Sequence, residues 1–303
     1  MKSNAKKINS CRNGMGLGVK TELIGILFLL PAVASLVFFK YLPLILGVFE
    51  SFFKIDIVNL PGEFIGFDNY KRAFTDTQFL SSFWHIAKMF IYSLVMNFWC
   101  PILLAILVDE TRKGKTLFRM GYFIPACTPG IAMTILWKYF WQPDYGLANY
   151  LISFLGIDPQ LWLNDERLVY FCMHFPGLII SGGMNMLIYL AALQDIPKEH
   201  YEAAIVDGAG ILQRIRYVML PALKNVIVLM LTLSIINSLN IMESVLVLTG
   251  GGPSNSTQTL YLYAYKVGVN TMDYSYAIAM CTIVFVITLI LTIIFNKFTN
   301  KED

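Results

Sequence analysis

The stretch Tyr274–Asn296, YSYAIAMCTIVFVITLILTIIFN, runs for 23 residues without an Asp, Glu, Lys or Arg. A helix needs about 20 mainly apolar residues to cross the hydrocarbon core of a bilayer. Five more charge-free runs of similar length precede it: Leu23–Phe39, Met89–Val108, Met120–Trp137, Leu168–Gln194 and Asn225–Met242. The sequence therefore predicts an all-α integral membrane protein with six transmembrane helices.

The composition of the whole chain agrees with this prediction. Of its 303 residues, 56% are hydrophobic and 14% are charged, and the mean hydropathy is +0.60. In a soluble domain about 25% of the residues are charged. The net charge is only +3, so nothing suggests a polyanion as the main partner. These values exclude a disordered chain, a nucleic-acid-binding protein and an ordinary soluble enzyme.

Residues that could catalyse a reaction or hold a metal ion are scarce. The three histidines, His85, His174 and His200, are not at the spacing of metal ligands, and there is no Cys-x-x-Cys pair. The segment 14–21 approaches the phosphate-binding pattern Gly-x4-Gly-Lys-Thr, but Val19 replaces the second glycine and a membrane span follows directly. We therefore expect no catalytic residue, metal ion or cofactor in this chain.

The distribution of Lys and Arg predicts the orientation in the membrane. With the N-terminus in the cytoplasm, the inner segments hold 15 of these residues and the outer segments hold seven, and an excess of Lys and Arg marks the cytoplasmic side. Lys40, at the end of the first run, is expected to extend outward. The predicted organisation is a cytoplasmic tail over 1–22, a transmembrane domain over 23–296 and a cytoplasmic tail over 297–303.

The longest cytoplasmic connection, 195–224, has the pattern of two short helices joined by glycines. Pro197 suits a first helical turn, and Gly208 with Gly210 ends the helix. A second helix follows up to Pro221, where the chain enters the membrane. Small residues at the tip allow close approach of a partner, and Glu202 and Asp207 offer carboxylates to basic residues. The alternative is an amphipathic loop on the membrane surface.

The same connection resembles the Glu-Ala-Ala loop of the membrane subunits of bacterial binding-protein-dependent ABC importers. Their pattern is Glu-Ala-Ala, three residues, Gly, nine residues, then Ile-x-Leu-Pro. The matching residues here are Glu202, Ala203, Ala204, Gly208, Leu220 and Pro221, with Val218 in place of Ile. The resemblance extends from about residue 20 to 296 and narrows to the carbohydrate-type permeases, similar to those for maltose, glycerol phosphate and polysaccharides. The further similar segments are 64–70, 137–149, 190–197 and 243–253.

This resemblance implies the type I ABC importer permease fold and a location in the bacterial cytoplasmic membrane. A second homologous permease subunit would pair with the chain, and two ATPase subunits would bind ATP and Mg. An extracellular solute-binding protein would deliver a sugar or oligosaccharide. The residues that the resemblance places against the ATPase are Glu202, Ala203, Ala204, Asp207, Gly208, Leu220 and Pro221.

Polar residues inside the predicted spans are candidates for the translocation path. An unpaired polar group is costly in hydrocarbon, so it usually faces a partner or a water-filled cavity. The spacing of Asn237, Asn240 and Ser244 predicts one face of a continuous helix. The alternative role for such residues is to join helices within the subunit or across a heterodimer. The candidates are Asn185, Tyr189, Asn237, Asn240 and Glu243.

A secondary transporter driven by an ion gradient is the main alternative function. That class is expected to have inverted repeats and membrane-embedded carboxylates. No internal repeat is visible in this sequence, and Glu243 is the single carboxylate in a span region. The pattern of residues therefore favours the importer over the secondary transporter.

Overall fold

The computed structural model describes residues 22, 24–56, 59–111 and 114–299, whose regular secondary structure is helical apart from one small hairpin. Apart from Glu22, the predicted tail 1–22 and its phosphate-loop-like segment lie outside these residues, as do residues 300–303. The chain divides into two units, residues 1–66 and 67–303.

The first unit contains one long helix and the hairpin. Helix α1, Ile24–Glu50, has 27 residues and continues past Lys40, which the sequence predicted at the end of the span. Strands β1 (Phe53–Asp56) and β2 (Asn59–Phe64) are antiparallel, and Phe53 pairs with Phe64. Their rings meet edge to face with centroids 5.2 Å apart. The hairpin departs from the all-α prediction.

In the second unit the regular secondary structure of the described residues is entirely helical, with loops between the helices. The helix Thr77–Glu110 (α3) is 34 residues long and starts 12 residues before the predicted run, which begins at Met89. The helices are α2 (Asp68–Thr75), α3 (Thr77–Glu110), α4 (Lys115–Ala126), α5 (Gly130–Phe140), α6 (Leu147–Ser153), α7 (Val169–Gln194), α8 (Lys198–Val206), α9 (Ile211–Ala222), α10 (Lys224–Leu239), α11 (Glu243–Leu248), α12 (Leu260–Asn270) and α13 (Tyr274–Thr299).

Three described helices are long and apolar enough to cross a membrane unbroken, namely α1, α3 and α13. Two further predicted spans are bent: α4 meets α5 at 87°, and α7 bends by 52° between Ile179 and Gly182. The remaining predicted span, Asn225–Met242, corresponds to α10, which meets α9 at 67°. The described residues therefore contain six spans if each bent pair crosses once. Pro129, the residue before α5, accounts for the sharpest bend because proline has no N–H for a helical hydrogen bond.

Three of the long helices contain a π turn just before a proline. The π turns cover Val37–Tyr41, Leu94–Phe98 and Ile215–Met219, and the prolines are Pro43, Pro101 and Pro221. A proline ring clashes with the carbonyl four residues earlier, and in each case that carbonyl lies within the π turn. The wider turn relieves the clash, so α1 and α3 continue through their prolines and α9 extends one residue past Pro221.

Helix α7 packs closely against α3 and α4 because glycines lie at the contacts. A Cβ atom on Gly177 would lie 2.4 Å from Nδ2 of Asn97 in α3. One on Gly183 would lie 1.9 Å from the backbone oxygen of Tyr122 in α4. Small residues at such contacts are typical of helices packed within membranes. Glycine at these positions therefore sets the distances between the three helices.

A Gly183→Ala variant is expected to be less stable than the parent protein. Its new methyl group would overlap a backbone atom, which cannot move without shifting α4, and overpacking of this kind costs about 1–3 kcal/mol. The measurement is the thermal unfolding midpoint of the purified protein in detergent. The matched control is Gly121→Ala in α4, where a Cβ atom meets nothing within 4 Å. An equal midpoint for the two variants would contradict the packing argument.

Candidate docking helices and interior cavity

Helices α8 and α9, here called the docking helices, are joined by a glycine turn of defined geometry. Gly208 has φ +75°, a left-handed conformation that glycine adopts without strain. The Gly208 N–H donates to the Ile205 oxygen at 3.0 Å, and the Ala209 N–H donates to the Ala204 oxygen at 2.9 Å. This is a Schellman C-cap. The predicted glycine end of the first helix is therefore confirmed.

The tip of the docking helices combines exposed carboxylates with exposed apolar side chains. Glu202 and Asp207 are exposed, as are Ala203, Gly208 and Pro221, whereas Ala204 and Leu220 are half-buried. Val206 is 86% and Leu212 is 81% exposed. The exposed large apolar residues of the two helices are Ile205, Val206, Ile211, Leu212 and Tyr217. Such a surface can bury apolar area against a protein and form ion pairs at its edge.

The base of the docking helices is packed into the transmembrane core. Met219 and Leu223 are fully buried in one cluster with Ile102 of α3 and Leu193 of α7, and Tyr201 packs against this cluster. Burial raises the pKa of the Tyr201 hydroxyl, and the nearby carboxylates of α3 add to the increase. A displacement of the docking helices would therefore press directly on α3 and α7, because close-packed side chains transmit strain.

An ion pair joins α9 to the end of α3. Arg214 Nη2 donates to Glu110 Oε2 at 3.1 Å, and the two side chains are 16% and 28% exposed. Sequence reasoning missed this pair. The residues are 104 positions apart, so no spacing rule relates them, although opposite charges at the ends of two cytoplasmic segments are a weak signal.

A cavity of about 360 Å³ lies between α3, α7 and α10. Three of the predicted path residues, Asn185, Tyr189 and Asn237, line it. Tyr189 is 1% exposed, and its hydroxyl makes no hydrogen bond with any residue that the structure describes. Oδ1 of Asn97 likewise accepts no hydrogen bond from any residue that the structure describes. A buried polar atom without a partner is costly, and together with the amides of Asn185 and Asn237 these groups give the cavity a partly polar lining.

The other two predicted path residues lie elsewhere. The expected continuous helix is wrong: α10 ends at Leu239, and α11 begins at Glu243. The side chain of Asn240 donates to the Ile236 oxygen at 3.0 Å and so caps the end of α10. Asn240 and Glu243 line a second cavity, of about 500 Å³, together with residues of α5. Glu243 is exposed.

Several polar residues of the first cavity were not predicted. Asn97 lies in a charge-free run and could have been selected by the rule that selected Asn185. The serines gave no signal because a serine hydroxyl can bond within its own helix, as Ser238 does to the Ser234 oxygen at 2.8 Å. The polar residues that line the cavity beyond the predicted ones are Ser93, Asn97, His174, Ser234 and Ser238, and Ser244, which the sequence grouped with Asn237, also lines it.

At the N-terminal end of α3, Asp76 holds three helices together. Its Oδ2 accepts from the hydroxyls of Tyr263 in α12 at 2.6 Å and Tyr276 in α13 at 2.7 Å. Its Oδ1 accepts from the N–H groups of Gln78 and Phe79, which caps α3. Burial alone would raise the pKa of Asp76, but these hydrogen bonds outweigh it and hold the pKa below its ordinary value.

An Asp76→Asn variant is expected to unfold at a lower temperature than the parent at pH 7, because the carboxylate is replaced by a weaker acceptor. The folded-state pKa of Asp76 is depressed, so its stabilisation is present above the unfolded pKa of about 3.9 and is lost as the pH falls through the folded value. The difference in unfolding midpoint should therefore shrink below pH 4. Asp144→Asn, at an exposed site, is the control. A difference that is constant with pH would contradict this role.

The chain matches known transport proteins over most of its length. Residues 78–301 match the family described as binding-protein-dependent transport system inner membrane component. The trehalose/maltose transport system permease protein MalF of Thermococcus litoralis is 31% identical over 235 residues, covering 77% of this chain and 79% of that protein. The arabinooligosaccharides transport system permease protein AraP of Bacillus subtilis is 37% identical over 227 residues, covering 73% and 71%.

The fold also matches a solved transporter. A chain of a bacterial ABC transporter involved in the import of the acidic polysaccharide alginate aligns with a TM-score of 0.84 at 24% identity, covering 95% of this chain and 98% of that one. This likeness shows the type I ABC permease fold. The chain belongs to the binding-protein-dependent transport system inner membrane components, and it is a multi-pass permease subunit of the cytoplasmic membrane rather than an enzyme.

Proposed function

We propose that this chain is one of two homologous permease subunits of an ATP-driven importer for a sugar or oligosaccharide. Its six spans would place both termini in the cytoplasm. Two separate ATPase subunits would bind ATP and Mg, and an extracellular solute-binding protein would deliver the substrate. The names of the relatives support the substrate class, since they transport trehalose or maltose and arabinooligosaccharides. A solved relative in fold is in complex with a periplasmic protein bound to an alginate pentasaccharide.

The observation that carries the coupling proposal is the form of the docking helices. Their tip is exposed, apolar and flanked by Glu202 and Asp207, while their base is buried against α3 and α7. A partner that closes when it binds ATP can therefore move the spans by moving this rigid element. The ATP-bound partner must favour one state of the spans over the other, since binding both states equally would shift nothing.

The cavity between α3, α7 and α10 is the proposed substrate path through this subunit. Sugars require hydrogen-bond partners, and the amides of Asn97, Asn185 and Asn237 can donate and accept. The cavity volume of about 360 Å³ lies within the range of small-molecule sites, about 300–1,000 Å³. Asn240 and Glu243, which line the separate cavity, would contribute at a different point of the path.

An Asn237→Leu variant is expected to reduce sugar uptake several-fold while the assembled complex stays intact. Leucine removes the amide from the cavity wall but fits the surrounding apolar helix. The measurements are uptake of labelled sugar and recovery of the complex in detergent. Asn225→Leu, at an exposed position near the start of the same helix and outside the cavity lining, is the control for the loss of an amide elsewhere. Loss of assembly in Asn237→Leu would show instead that Asn237 joins helices.

The test of the overall proposal is a gentle-detergent purification of the tagged chain from its native membrane, with mass spectrometry of the proteins that co-purify. We expect a second six-span permease and an ATPase with a Walker motif. A chain that purifies alone and still transports solute would overturn the proposal in favour of an ion-driven transporter.

A further inference from the structure

The segment between α5 and α7 has its polarity reversed relative to a water-exposed loop. Seven large apolar side chains between residues 145 and 157 are exposed, with Phe154 71% and Leu155 75% exposed. We call this set the Tyr145–Ile157 surface. Its members are Tyr145, Leu147, Tyr150, Leu151, Phe154, Leu155 and Ile157. Monomeric soluble proteins rarely expose so continuous an apolar patch.

The polar amide of the same segment is turned inward. Asn149 Nδ2 donates to the backbone oxygens of Pro143 at 2.8 Å and Gln160 at 3.0 Å. Its Oδ1 accepts from the Gln160 N–H at 2.9 Å and from Trp162 Nε1 at 2.7 Å. All four hydrogen-bonding positions of this amide are therefore occupied within the segment. This half-buried amide fixes α6 with its apolar side outward.

Two glycines hold the ends of the segment in this orientation. A Cβ atom on Gly146 would lie 2.2 Å from the Gln142 backbone oxygen, so α6 can begin here only with glycine. Gly156 has φ +70°. Its N–H donates to the Ser153 backbone oxygen at 3.0 Å, and the Ile157 N–H donates to the Ile152 backbone oxygen at 3.3 Å. These two hydrogen bonds form a Schellman C-cap. The exposure of the apolar side chains is therefore built into the fold.

The chemistry of the surface indicates a lipid occupant. No Asp, Glu, Lys or Arg occurs from Tyr145 to Ile157, and Asp144 and Asp158 border it on both sides. The surface also continues the exposed apolar residues of α5, among them Leu136 and Tyr139, in a protein of the cytoplasmic membrane. Tyr with Leu, Phe and Ile is the composition of elements that lie at the membrane–water boundary.

We propose that the Tyr145–Ile157 surface lies in the boundary between lipid headgroups and acyl chains and anchors the end of α5 there. In the proposed topology this is the outer leaflet. A docking face for a soluble protein would need charged or polar residues at its rim, and this surface has charges only at its two ends. The anchor would hold the outer end of α5 at a constant depth while the bent spans change conformation.

The test is the depth of a nitroxide label in the full transport complex, reconstituted in lipid nanodiscs. The label is placed at Phe154→Cys in a variant whose native cysteines are replaced by alanine, with Asp158→Cys as the matched control. Accessibility to oxygen and to a water-soluble nickel chelate gives the depth. We expect the label at 154 to lie about 5–10 Å inside the headgroup boundary and the label at 158 to be in water. Leu151→Cys repeats the measurement if the first variant does not transport.

Two results would overturn the inference. Equal access of the nickel chelate to positions 154 and 158 would place the surface in water. A label at 154 that neither reagent reaches would show that a protein covers it. The depth does not depend on the substrate, the ATPase or the leaflet, so either result leaves the proposed function standing. Failure of the co-purification experiment likewise leaves the depth measurement valid.

Discussion

A Gly208→Pro variant is expected to reach the membrane in normal amount and to lose sugar uptake. Gly208 has φ +75°, whereas a proline ring fixes φ near −65°. Proline also removes the N–H that donates to the Ile205 oxygen at 3.0 Å. The turn between the docking helices cannot form with either change. Because the turn lies outside the spans, insertion should be unaffected and the loss should appear in transport.

The matched control is Gly210→Ala, two residues away. Gly210 has φ −71°, which any residue can adopt, and a Cβ atom there would meet only Gln213 Oε1 at 3.9 Å. This variant should transport like the parent protein. The measurements are uptake of labelled sugar, the amount of protein in the membrane and co-purification of the ATPase. Full uptake by Gly208→Pro at a normal membrane level would show that the docking assignment is wrong.

The helix ends show how much of the fold local sequence determines. Gly208 was predicted to end a helix, and it does, because a left-handed C-cap depends on one residue and its neighbours. The start of α3 was predicted 12 residues late. A charge-free run marks only the part of a helix that suits hydrocarbon. Helix α3 begins at Thr77 because Asp76 caps it and because Phe79 and Ile86 pack with residues of α12 and α13. No local pattern contains that packing.

The candidate site was predictable only in part, for the same reason. Asn185 and Asn237 were selected because they are polar residues in apolar runs, and the structure brings them to one cavity. Asn240 satisfied the same rule, yet its amide caps α10. Hydropathy does not locate the end of that helix, so this role could not be predicted. The partnership of Glu110 with Arg214 depends on how α3 and α9 pack, which sequence spacing does not encode.

An Arg214→Glu variant is expected to reduce uptake strongly, and the double variant Glu110→Arg, Arg214→Glu is expected to restore most of it. The single change places a second carboxylate beside Glu110, where the parent has an ion pair of 3.1 Å, and like charges at this distance repel. The double change restores a pair of opposite charges, with the positive charge now at position 110 and the negative charge at position 214. Coupling energies between contacting residues are about 0.5–3 kcal/mol, and a partly buried pair should lie in the upper part of that range.

The readout that separates coupling from folding is the number of sugar molecules transported per ATP hydrolysed by the assembled complex. If the ion pair transmits the movement of the docking helices to α3, Arg214→Glu should still support ATP hydrolysis but transport less sugar per ATP. The matched control is Arg216→Glu, an exposed arginine two residues later on the same helix, which should leave the ratio unchanged. A double variant no better than the single one, or an equal loss in Arg216→Glu, would mean that the docking helices drive the spans through their apolar base alone.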